Sequence, residues 1–187
     1  MNTLYAPAKG DYFTFKNFLI PLVLSALLVA LSFFNFLLFH TLAEGFAIVV
    51  GVLMCVVIWH TRYFAQHSFL MFIANGFFWV AALDLFHTLS YKGMGVFQAD
   101  ANMPTQLWVA TRFFEALILL YAPNYLKTES SSRVRTFVTF GGVAILILGL
   151  IFVGWFPDAY IEGEGLTTFK IACEYLIIGL LIAALIH

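Results

Sequence analysis

The chain has 187 residues, of which 63% are hydrophobic and 10% charged, with a formal net charge of −1 and a mean hydropathy of +0.96. An average soluble domain carries roughly 25% charge, so this composition excludes a water-soluble fold. No Lys/Arg run is long enough to form a phosphate-binding patch, which excludes nucleic acid as a partner.

A bilayer core needs about 20 apolar residues per helical span. The N-terminal segment, residues 1–17, mixes Lys9, Asp11, Lys16, Pro7 and Gly10 and lacks a convincing cleavage site after the apolar run that follows, so the first span is expected to be retained. Apolar runs then occur at Phe18–Phe39, Ala43–His60, Ser68–Leu89, Thr105–Ala122, Thr136–Phe156 and Thr167–Ile186. The stretch Phe18–His60 is almost uninterrupted and as one helix would be roughly 60 Å long, twice the hydrocarbon thickness. A turn is therefore expected within His40–Gly45. The other connections are His60–His67, Ser90–Pro104, Pro123–Arg135 and Pro157–Leu166, marked by Gly, Pro and charge. The predicted fold is all-α: an integral membrane bundle of six transmembrane helices forming a single domain over residues 1–187.

Orientation follows from Lys and Arg in short loops. Lys9, Lys16, Arg62, Lys127, Arg133 and Arg135 fall on the N-terminal side, whereas the opposite loops carry Lys92 against Asp100, Asp158, Glu162 and Glu164. Both termini are thus expected in the cytoplasm. The cysteines, Cys55 and Cys173, lie inside apolar runs, where an isolated cysteine behaves as a small hydrophobe.

Charge inside a span costs several kcal/mol on insertion scales and so marks function or pairing. His40 with Glu44, Asp84 with His87, Arg112 with Glu115, and Lys170 with Glu174 are each three or four residues apart, the spacing that shares a helix face. Threaded through six spans, all four pairs converge on the outer half of the membrane. Glu115 lies roughly 15 Å below Pro104, and Glu174 about 12 Å below Leu166. This predicts a polar pocket that opens outward and reaches mid-membrane. The inner halves offer little beyond Ser25, Cys55 and Thr139, which argues against an ion channel or proton relay. The same pairs also read as neutralising ion pairs that fix helix packing. His40, His87 and Glu115 are the candidate ligands for a divalent metal, without a diagnostic single-helix spacing. Trp59, Trp79, Trp108 and Trp155 read as packing or belt aromatics, and His60 and His67 as interfacial residues. The glycine-bearing stretch Tyr91–Phe97 is a flexible outer loop that could also cover the pocket.

The stretch Asp84-Leu85-Phe86-His87-Thr88-Leu89-Ser90-Tyr91-Lys92-Gly93-Met94-Gly95-Val96-Phe97, followed by Asn102-Met103-Pro104-Thr105-Gln106-Leu107-Trp108 and Arg112-Phe113-Phe114-Glu115-Ala116-Leu117, resembles the third class of bacterial membrane-associated sensor (MASE) domains. Phe39-His40 to Glu44 and Gly165-Leu166-Thr167-Thr168-Phe169-Lys170-Ile171 with Glu174-Tyr175 fit its flanks. Ser90 stands where a smaller residue such as alanine is expected. The resemblance implies an N-terminal input module of the bacterial inner membrane, not itself an enzyme. It would be followed after residue 187 by a cytoplasmic histidine kinase or diguanylate cyclase output, hence by two-component or cyclic di-GMP signalling. It also adds Lys92 and Gln106 to His87, Arg112 and Glu115 as signature residues. The expected ligand-binding set is then His40, Glu44, Asp84, His87, Lys92, Gln106, Arg112, Glu115, Lys170 and Glu174. Expected partners are membrane lipid, a small ligand of unknown identity, the output domain and a second copy of the chain. Two rival readings stand beside it. One is a metal- or haem-binding redox membrane protein using His40 and His87. The other is a transporter, which would call for a midplane site on broken helices in two matched halves.

Overall fold

The structure, a computed structural model, describes residues 15–61, 68–97, 100–126 and 133–186. Its elements are α1 (Phe15–Phe34), α2 (Phe36–Thr61), α3 (Ser68–Ser90), α4 (Asn102–Tyr121), a 3₁₀ turn (Ala122–Tyr125), α5 (Arg133–Phe152), a hairpin of β1 (Tyr160–Ile161) and β2 (Gly165–Leu166), and α6 (Thr168–Ile186). Most of the N-terminal segment 1–17 lies outside the described residues, as do the positions of Arg62 and Lys127.

The chain divides into two compact units, Met1–His40 and Thr41–His187. In the first, α1 is an apolar helix whose side chains from Phe18 onward are largely exposed, as suits a lipid-facing element. The helix break expected within His40–Gly45 falls instead at Asn35, and α2 runs without interruption through residues 40–45. The Asn35 side-chain oxygen accepts the backbone N–H of Leu38 at 3.0 Å. That capping bond satisfies one of the donors a new helix start leaves open. A single asparagine among Phe33, Phe34 and Phe36 thus outweighs the more polar His40–Gly45 stretch.

In the second unit α3 packs against α4 and α5, and α4 packs against α6. Small residues set the close approaches. At Gly76 an added Cβ would lie 2.7 Å from Ile118 Cγ2, and at Gly141 it would lie 2.6 Å from the Trp79 ring. Phe72, Val80, Leu83, Phe114, Ile118 and Ala144 form the main apolar core between α3, α4 and α5. Trp79 donates its indole N–H to the Phe137 carbonyl at 3.0 Å, tying α3 to the start of α5.

Among the described residues four helices are long and apolar enough to cross a membrane: α2, α3, α5 from Val134 onward, and α6; the apolar stretch Phe18–Phe34 of α1 is shorter. The central helix α4 differs because it carries Asn102, Gln106, Arg112 and Glu115. Its neighbours bury Gln106 and partly cover the other three, so lipid contact falls on α2, α5 and α6, where Val49, Leu53, Val138, Ile145, Leu176 and Ile182 are exposed. At the hairpin end of the unit, Asn102 holds the chain in place. Its side-chain oxygen accepts the N–H groups of Ala159 at 2.8 Å and Tyr160 at 3.0 Å, and its amide donates to Asp158 at 2.7 Å. The hairpin turn uses Gly163 and Gly165 at φ of 89° and 94°, conformations that glycine adopts without a Cβ clash.

A polar cluster shared by three helices

Arg112 is the hub of the buried charge. From α4 its Nη2 donates to both carboxylate oxygens of Asp84 on α3, and its Nη1 donates to Glu115 one turn further along α4 at 2.6 Å. Asp84 is 4% exposed, and a carboxylate so placed needs a partner. The guanidinium, planar and permanently charged, can serve two carboxylates at once. Its Nε is buried without an acceptor among the described residues.

A second pair lies on α6, where Lys170 Nζ donates to Glu174 at 2.5 Å. The same Nζ sits 5.1 Å from the centre of the Trp108 ring on α4, within range of a cation–π attraction. Trp108 stands one helical turn before Arg112 and so shares its face. Trp108, Arg112, Glu115, Glu174 and Tyr175 line a groove of about 510 Å³ between α4 and α6, with Ile177, Ile178 and Leu181 along its apolar side.

At the ends of α3 and α4 lies a cavity of about 390 Å³ lined by His87, Tyr91, Lys92, Trp108, Tyr160 and Lys170, among others. His87 bonds through Nδ1 to the Pro104 carbonyl at 2.8 Å. A carbonyl only accepts, so Nδ1 carries the proton and fixes the ring. A carboxylate oxygen of Glu44 lies within 4.8 Å of a His87 ring nitrogen. Lys92 faces Glu162 of the hairpin turn at 3.7 Å with both side chains largely exposed, a pairing that contributes little to stability.

Two further residues of the expected set have partners of their own. The Gln106 amide donates to the carbonyls of Phe156 and Pro157, each at 3.0 Å, so it holds the α5–β1 connection. His40 belongs to the first unit, where its ring stacks on Phe36 with centroids 6.2 Å apart. Trp108 and Tyr160 also line the cavity although sequence reading gave neither a binding role, and Tyr91, from the loop expected to be able to cover the pocket, lines it with them. The four-residue step from Trp108 to Arg112 was the available signal for Trp108. Tyr160 gave none, because the hairpin alone brings it to α3 and α4.

A family model described as a membrane-associated sensor domain, MASE3, matches residues 31–187. The chain belongs to that family. No curated protein and no solved structure matches it. The MASE3 match takes in α2 through α6, and hence every charged residue of the cluster. With its apolar helices, the family assignment makes this a multi-pass membrane protein with a sensor role.

Proposed function

We propose that this MASE3 domain is the signal-input module of a longer chain, and that it recognises a small ligand where α3, α4 and α6 meet. It spans the bacterial inner membrane six times as one domain, with both termini in the cytoplasm and the α3–α4 and α5–α6 connections outside. The observation that carries the reading is the position of Lys170 and Glu174. Their ion pair sits on α6, the last helix, beside Trp108 and in the same groove as Arg112 and Glu115. A ligand that binds one arrangement of these groups better than another shifts the balance between them by its differential affinity. The shift is carried along α6 to a histidine kinase or diguanylate cyclase paired in a dimer. Glu44, Asp84, His87, Lys92, Arg112, Glu115, Lys170 and Glu174 are the residues of the recognition region.

The test joins the chain to a diguanylate cyclase and follows cyclic di-GMP production. Glu174→Lys places two cations one turn apart on α6 and is expected to change output at least severalfold, with unaltered membrane insertion. Output equal to that of the unsubstituted fusion, at equal insertion, sinks the reading.

A further inference from the structure

We infer that the cavity at the ends of α3 and α4 takes a small planar carboxylate, and that this ligand competes with Glu174 for Lys170. The inference rests on the sensing role proposed above and names the chemistry of its ligand. The sign of charge decides the class. Lys92, Lys170 and His87 line the cavity, and no carboxylate is among its described lining residues. Glu162 and Glu174, the partners of the two lysines, both lie outside that lining, as does Glu44, whose carboxylate is within 4.8 Å of a His87 ring nitrogen. A cation entering here would meet ammonium groups, whereas an anion would meet donors. Shape narrows the class further. Tyr91, Trp108 and Tyr160 line it with aromatic rings, which suit a planar ligand, and about 390 Å³ falls at the small end of the range of roughly 300–1,000 Å³ seen for ligand sites.

Lys170 gives the cavity its consequence. An ammonium has three donors, and among the described residues Glu174 is the acceptor that Lys170 bonds. Lys170 lines the cavity and Glu174 lines the α4–α6 groove, so a carboxylate in the cavity meets the same lysine from a separate space. As it takes over the charge of Lys170, it loosens Glu174, whose carboxylate lines the groove with Arg112 and Glu115. The binding event at one end of the domain is thereby converted into a charge change along α6.

The experiment uses the whole chain in mild detergent and equilibrium dialysis with three isosteric probes: benzoate, neutral benzamide and cationic benzamidinium. Inorganic phosphate serves as a competing anion. Benzoate is expected to bind about tenfold or more tightly than benzamide, as befits a charge-assisted hydrogen bond, with benzamidinium weaker still. Lys170→Met is expected to lose that preference. Glu174→Gln, which removes the competitor while leaving the lysine, is expected to tighten benzoate severalfold, and this variant decides the matter if Lys170→Met does not fold. Equal affinity for benzoate and benzamide overturns the carboxylate class, as do tighter binding of benzamidinium, displacement of benzoate by equimolar phosphate, or weaker binding in Glu174→Gln. These outcomes are read without any output domain, so they are separate from the sensing role. That role at this cavity fails if benzoate binds as expected yet leaves the cyclase fusion unchanged.

Discussion

Arg112 answers the charge of two carboxylates, one on its own helix and one on α3, and its removal should be felt most at Asp84. Breaking a buried pair by deleting one partner costs about 3–5 kcal/mol, because the remaining charge stays buried. Arg112→Met is therefore expected to lower unfolding stability in micelles by an amount of that order, and Asp84→Asn in the same background to recover part of the loss. An Arg112→Met protein as stable as the unsubstituted one would contradict the pairing. The sequence spacing made Arg112 and Glu115 legible as a pair on one helix. It could not reveal the reach from Arg112 to Asp84, because contacts between helices depend on how α3 and α4 rotate against each other. The partners of Gln106 were hidden for the same reason. A polar residue in an apolar helix announces only that it needs a partner, and here the partners are the carbonyls of Phe156 and Pro157.

At the scale of elements, apolar run length was informative and break position was not. The break at Asn35 rests on one side-chain cap, a local bond that hydropathy does not register, so a longer polar stretch at His40–Gly45 drew the expectation away from it. Helix α4 is the converse case. Its charges make it a poor candidate for lipid contact, and its burial between α3 and α6 resolves the conflict. Close approach of α3 to α4 depends on Gly76, whose Cβ would meet Ile118 at 2.7 Å. Overpacking a well-filled site costs about 1–3 kcal/mol. Gly76→Ala is expected to destabilise by that much, and Ile118→Ala by about 2–5 kcal/mol through the cavity it leaves. Combined, they should cost less than their sum, since the added methyl group occupies part of the space vacated. Additive thermal shifts would show that the two residues do not meet.

For the whole molecule, the composition alone required lipid as solvent, and Asp84, His87, Lys92, Arg112, Glu115, Lys170 and Glu174, which the family likeness singles out, all lie in the second unit. What the sequence left open was whether the Lys170–Glu174 pair neutralises charge or takes part in signalling, since both need the same residues at the same spacing. The exchange Lys170→Glu with Glu174→Lys separates the two. It keeps an ion pair of the same length on α6 but puts an acid where the cavity now has an ammonium. If the pair only neutralises, each single variant disturbs the protein and the exchange restores it. The most direct measurement is cyclic di-GMP output from the cyclase fusion carrying the two single variants and the exchange, at matched membrane insertion. The signalling account predicts that output stays altered in the exchanged protein while thermal stability returns toward that of the unsubstituted domain. Output restored together with stability would contradict it and leave the pair a purely structural one.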